Sequence, residues 1–131
     1  MDIPSTLNIA PVYVALLGLF FVPITLRVGL YRVNTKIDIG DGGDNKLLRL
    51  MRAQANFVET VPLVVVMLVL MELAGASSVW LHSVGGVLLA GRISHYLGLS
   101  RMGPFICRPI GIFATLGTYL AAAGWLLYHF V

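Results

Sequence analysis

The chain reads as an all-α integral membrane protein, a four-helix up-down bundle, on three observations. Of its 131 residues, 58% are hydrophobic and only 11% are charged, against ~25% charged in soluble domains. Four stretches are long enough and apolar enough to cross a hydrocarbon layer ~30 Å thick as helix. The nine Lys and Arg residues gather around two of the three loops. The length allows one domain, so residues 1–131 are assigned to a single transmembrane unit. A barrel would need alternation at period two, and the run Pro62-Leu63-Val64-Val65-Val66-Met67-Leu68 does not alternate.

The first helix is expected at about residues 5–31, because no charge occurs from Ile3 to Leu26. Asp2 precedes it without a basic flank, and the run is too long for a signal-peptide core, so it reads as a retained helix. Pro11 falls in its first turns and Pro23 can kink its far end. The second helix is expected at about 47–73, where Glu59 is the sole charge between Ala53 and Met71. The third covers about 77–99 and the fourth about 106–130, uncharged from Pro109 to Val131. Tyr31, Trp80, Tyr96, Trp125 and Tyr128 lie near span ends, as interfacial anchors do. Gly86-x-x-x-Ala90 and Gly117-x-x-x-Ala121 are small-residue patterns that suit helix packing.

Arg27, Arg32, Lys36, Lys46, Arg49 and Arg52 surround the first loop, and Arg92, Arg101 and Arg108 the third. The loop from Glu72 to Ser78 and both termini have no Lys or Arg. Basic loops stay on the cytoplasmic side, so loops 1 and 3 are expected inside and both termini outside. Net charge +3 does not indicate a nucleic-acid partner, since the basic residues punctuate apolar runs instead of forming a dense polar face. The loop from Val33 to Lys46 contains Asp38, Asp41 and Asp44 with Gly40, Gly42 and Gly43. Its acidic spacing is three, not the two of a calcium loop, and the closing glutamate is absent, so it reads as a polar connector. The single Cys107 excludes an internal disulfide or a cysteine zinc site, and no His/Asp/Glu spacing supports a metal.

Ionisable groups inside apolar runs usually face protein or a wet cavity. Arg52, Asn56 and Glu59 are spaced i, i+4, i+7 and share a helix face, as do Arg92 and His95 at i, i+3. Depth matching predicts an Arg92–Glu59 ion pair, with His95 level with Asn56. Pro62 frees the carbonyl of Val58 beside this stripe. Taken with Arg101 and Arg108, these groups converge at the cytoplasmic mouth. They suit either interhelical glue or a pocket for a polar, anionic ligand.

The segment Arg52-Ala-Gln-Ala-Asn56-Phe-Val-Glu59-Thr-Val-Pro62 resembles the second-helix signature of the MAPEG family, membrane-associated proteins in eicosanoid and glutathione metabolism. Gly91-Arg92-Ile93-Ser94-His95-Tyr96 is similar to its third-helix segment. The short length and Gly-Asp-Gly-Gly loop resemble the bacterial branch, which implies an inner-membrane location. The resemblance implies a homotrimer that binds glutathione between subunits near the cytoplasmic face, among membrane lipids. By position, Arg52, Gln54, Asn56, Glu59 and His95 match glutathione-contacting residues. Arg32 resembles the basic residue that reaches a peptide carboxylate, and Arg108 the arginine that stabilises the thiolate. Arg92, Tyr96 and Arg101 are supporting residues. Leu99 and Thr60 stand where some members have tyrosines.

The implied activity is a glutathione-dependent transferase or peroxidase acting on lipophilic electrophiles, which would reach the thiolate between helices 1 and 4. A non-catalytic glutathione- or lipid-binding protein is the first alternative, since the family includes one. The second is a small proton-coupled multidrug exporter using Glu59.

Overall fold

A computed structural model describes residues 7–131. Four helices follow one another: α1 (Ala10–Thr35), α2 (Asn45–Leu73), α3 (Ser78–Leu99) and α4 (Cys107–Phe130). Among the described residues there is no strand. α1 packs against α2 and α3, and α4 packs against the same two, whereas α1 and α4 do not pack together. A route to the thiolate between helices 1 and 4 is therefore not a crevice within one chain.

The helix ends show how local chemistry sets the boundaries. Residues 5 and 6 of the expected first helix lie outside the described residues, and helix begins only at Ala10, with Pro11 in the first turn. The backbone N–H groups of Asn8, Ile9 and Ala10 donate to the Glu72 carboxylate, each at 2.7 Å. A carboxylate from the end of α2 thus satisfies donors that α1 leaves open and complements its dipole. At its other end α1 continues to Thr35, four residues past the expected stop.

Three helices terminate in the same left-handed turn, in which an N–H reaches back to the carbonyl five residues earlier. Ile37 donates to Arg32, Ala76 to Met71 and Met102 to Leu97. The left-handed residue is Gly75 at the turn between α2 and α3, but Lys36 and Arg101 at the two turns at the other end of the bundle, with φ of 56° and 59°. Glycine suits that conformation; a cation there costs backbone strain and gains from the negative end of the helix dipole.

α2 starts at a side-chain cap. Asp44 Oδ1 accepts from the backbone N–H of Lys46 (2.8 Å) and Leu47 (3.0 Å), and its Oδ2 accepts from the Tyr31 hydroxyl (2.9 Å). The Leu47 amide, then the Tyr31 hydroxyl, hold this carboxyl below the usual carboxylate range. A depressed carboxyl stabilises the fold above its unfolded pKa, and that contribution is lost as pH falls through the folded value. Exchange at the Lys46 and Leu47 amides, measured against the intrinsic rate at each pH, is therefore expected to lose its protection below the ordinary carboxylate range. In Asp44→Ala it should be fast already at pH 7, and equal protection in the variant would refute the cap.

α1, α2 and α4 are long and apolar enough to cross a membrane by length and composition. α3 is not among them; it has Arg92 and His95 buried against protein, and ten of its 22 residues are buried, against four of 26 in α1. The α2 face toward the core repeats at helical spacing through Ala53, Phe57, Val61, Val64, Leu68 and Met71. Phe20 meets Phe57 and Tyr96 edge-on, which joins α1 to α2 and α3.

α3 and α4 approach most closely, over glycines. A Cβ on Gly111 would press on the Gly91 carbonyl and the His95 backbone nitrogen, and one on Gly98 would press on the Arg108 backbone. The small-residue patterns in the sequence point elsewhere: Gly86 faces only the Tyr13 hydroxyl and Gly117 has no neighbour within 4 Å. The seam follows Gly91 and Gly98 of α3 and Gly111 of α4, and the approach of Gly111 to Gly91 lies across two helices and not within one.

Candidate functional site

The polar residues of α2, α3 and α4 meet around Arg92, which is 2% exposed. Its Nη1 donates to Asn56 Oδ1 (2.6 Å) and Thr60 Oγ1 (3.0 Å), and its Nη2 to the Gly111 carbonyl (3.2 Å). Tyr119 extends the network by donating its hydroxyl to the Thr60 carbonyl at 2.6 Å. One guanidinium therefore ties three helices together. With its carbonyl oxygen engaged by Arg92, Asn56 keeps its amide N–H groups for another acceptor.

The expected Arg92–Glu59 ion pair is not formed. Glu59 pairs with Arg52 of its own helix at 3.6 Å, and both side chains are more than half exposed on this chain. The reason is rotational. At 100° per residue, Glu59 lies roughly 160° around the helix from the buried stripe of Phe57, Val64 and Leu68. Asn56 and Thr60 lie on the shoulder of that stripe and meet Arg92 instead. His95 is accordingly not level with Asn56; Arg92 is.

Beside this network lies a cavity of about 270 Å³ lined by Arg49, Arg52, Asn56, His95 and Arg108, with Leu48, Leu99 and Ile112 as apolar wall. His95 is buried, and its Nδ1 lies 3.3 Å from the Arg108 carbonyl. A carbonyl only accepts, so Nδ1 carries the proton and Nε2 has the lone pair. The Arg108 side chain reaches the cavity from the first turn of α4, and that of Arg52 from α2.

Arg52, Asn56, His95 and Arg108 are thus brought together, while other residues singled out in the sequence lie elsewhere. Arg32 is engaged by its own loop, donating to the carbonyls of Ile37, Asp38 and Gly40. Gln54 donates to Thr25 of α1 at 3.2 Å. The buried Tyr96 accepts from Arg27 at 3.4 Å. Arg101 lines a neighbouring cleft. Glu59 is not among the residues lining the cavity. Sequence reasoning missed Arg49, Thr60 and Tyr119. Arg49 stands seven residues before Asn56 and Thr60 four after it, so helical spacing could have found both; Tyr119 has no such signal.

Comparison with known proteins identifies relatives of the chain. The chain is 34% identical over 90 residues to Inner membrane protein YecN of Escherichia coli strain K12, covering 69% of each chain. The same identity and coverage hold for the YecN of Escherichia coli O6:H1. The model of the MAPEG family matches residues 10–128. A match across all four helices, together with the Arg52–Asn56–Glu59 and Arg92–His95 spacings, places this chain in the MAPEG family, whose kinds include membrane glutathione transferases and peroxidases.

Proposed function

We propose that the protein is a membrane-bound glutathione-dependent transferase or peroxidase acting on lipophilic electrophiles, with glutathione held in the cavity between α2, α3 and α4. The observation that carries this reading is the convergence of three arginines, an asparagine amide and a histidine around one cavity. Glutathione has two carboxylates and a thiol, and guanidinium groups match carboxylates in geometry as well as charge. Arg49 and Arg52 suit the carboxylates and the free amide of Asn56 a peptide carbonyl. Arg108 suits the sulfur.

A free thiol has pKa ≈ 8.5 and is mostly protonated at neutral pH. Lowering it by one unit needs about 1.4 kcal/mol of preferential stabilisation of the thiolate, within reach of one aligned guanidinium. Arg108→Ala is expected to leave glutathione affinity within a few fold and to abolish the thiolate absorbance of the bound peptide. Unchanged absorbance would refute that role. Calorimetric titration with glutathione and S-hexylglutathione tests the site itself, since tighter binding of the hexyl derivative requires an apolar subsite beside a peptide subsite. Binding without turnover of aryl halides or hydroperoxides would favour a non-catalytic member of the family.

The exposed Arg52–Glu59 pair supports assembly. Glu59 lies about 21 Å from the start of α2 at 1.5 Å per residue, at the middle of the helix. A charge pair facing lipid at that depth is costly, so a second copy of the chain is expected to cover it, in line with a homotrimer. Such cover would also bring α1 of one subunit toward α4 of the next, where a lipophilic substrate could reach the thiolate. The exporter reading loses ground, because Arg52 already supplies the charge partner of Glu59. We place the protein in the bacterial inner membrane, with the basic loops cytoplasmic and both termini outside.

A further inference from the structure

A second cleft, of about 420 Å³, opens next to the cavity and is lined by Arg49, Gly98, Leu99, Arg101, Gly103, Phe105 and Arg108. Three guanidinium groups point at it, and among the described residues none of the three is in an ion pair. Three cations in one concavity without a counter-charge raise the local concentration of anions.

Arg101 carries a further mark. It occupies the left-handed position that closes α3, with φ 59°. The corresponding turn between α2 and α3 uses Gly75, φ 82°, the residue such a turn favours. Lys36 closes α1 in the same way, where a cation meets the negative end of the helix dipole; at Arg101 that position also sets a guanidinium at the cleft.

The rim has a different character. Met102, Phe105 and Ile106 are 61%, 75% and 58% exposed and sit on the α3–α4 turn, beside the mouth where the arginines gather. A small soluble anion has no use for such a rim, whereas the chain of an amphiphile does.

We propose that this cleft is a second anion site, which takes the carboxylate or phosphate head of a membrane amphiphile while its chain lies along Met102, Phe105 and Ile106 in the inner leaflet. Arg49 and Arg108 line both cavities, so the head is held beside the peptide site.

The test needs no turnover. The full-length protein in phosphatidylcholine nanodiscs is titrated with cis-parinaric acid and with its methyl ester, empty discs being subtracted. The acid is expected to bind at least about tenfold more tightly, the worth of one charge-assisted contact. That preference should vanish in Arg101→Gly and shrink in Arg49→Gln. Glycine suits the turn, so Arg101→Gly retains the fold while removing the cation. Displacement of the acid by phosphatidylglycerol in the discs would identify a phospholipid head as the natural occupant; persistence would identify a free acid.

Equal binding of acid and ester overturns the proposal, as does a preference that survives in both variants. Competitive displacement by glutathione would merge the two cavities and overturn it too. A silent glutathione titration with the acid preference intact would reject the peptide reading and leave the second site standing.

Discussion

Arg92→Ala is expected to cost the folded bundle about 3 kcal/mol, from the loss of three hydrogen bonds to a charged donor, each worth roughly 0.6–1.7 kcal/mol in a membrane protein. The three acceptors belong to α2 and α4, so the loss loosens the contacts of α3 with both of those helices at once. Equilibrium unfolding in mixed micelles of mild detergent and dodecyl sulfate reads the change. Arg92→Lys should recover less than half of it, because an ammonium cannot reach Asn56, Thr60 and Gly111 as a planar fork does. A second readout separates positioning from stability. Once Arg92 is gone, Asn56 is free to turn, and glutathione affinity should fall in Arg92→Lys even where the protein remains folded. A loss under about 1 kcal/mol in Arg92→Ala would mean that the network does not hold the helices together.

Gly111→Ala should be nearly as damaging, about 2–3 kcal/mol, since the added methyl meets backbone and not a side chain that can swing away. The Gly91 carbonyl and the His95 nitrogen lie where the methyl would go, so α3 and α4 must separate. Separation also stretches the Arg92–Gly111 bond. Gly117→Ala is the internal control: with nothing within 4 Å, it should be neutral or stabilising by up to ~1 kcal/mol from helix propensity. Similar destabilisation by the two substitutions in the same micelle assay would refute the glycine seam.

How much was legible follows from which interactions are local. Four helices, the second to fourth within two residues of their ends, came from charge-free apolar runs, which are properties of neighbouring residues. The start of α1 at Ala10 was not legible, because Glu72 fixes it from the far end of another helix. The Arg52–Asn56–Glu59 spacing marked a polar face correctly, but a face has width. Which member turns inward depends on the position of the buried stripe, and that is set by the helices packed against α2, namely α1, α3 and α4. Hence Asn56 went to Arg92 while Glu59 stayed outside with Arg52. Glycine patterns within one helix likewise said nothing of Gly111 meeting Gly91, since that approach is a property of two helices.

The clasp between Glu72 and the start of α1 has a consequence for biogenesis. The carboxylate is translated 62 residues after Ala10, so the leading end of the first segment emerges from the ribosome before its partner exists. Three N–H donors there must be hydrated, or held by the insertion machinery, until the second segment has crossed. This seal is a product of inserting the first two segments as a pair, and a nascent chain halted before residue 72 cannot form it.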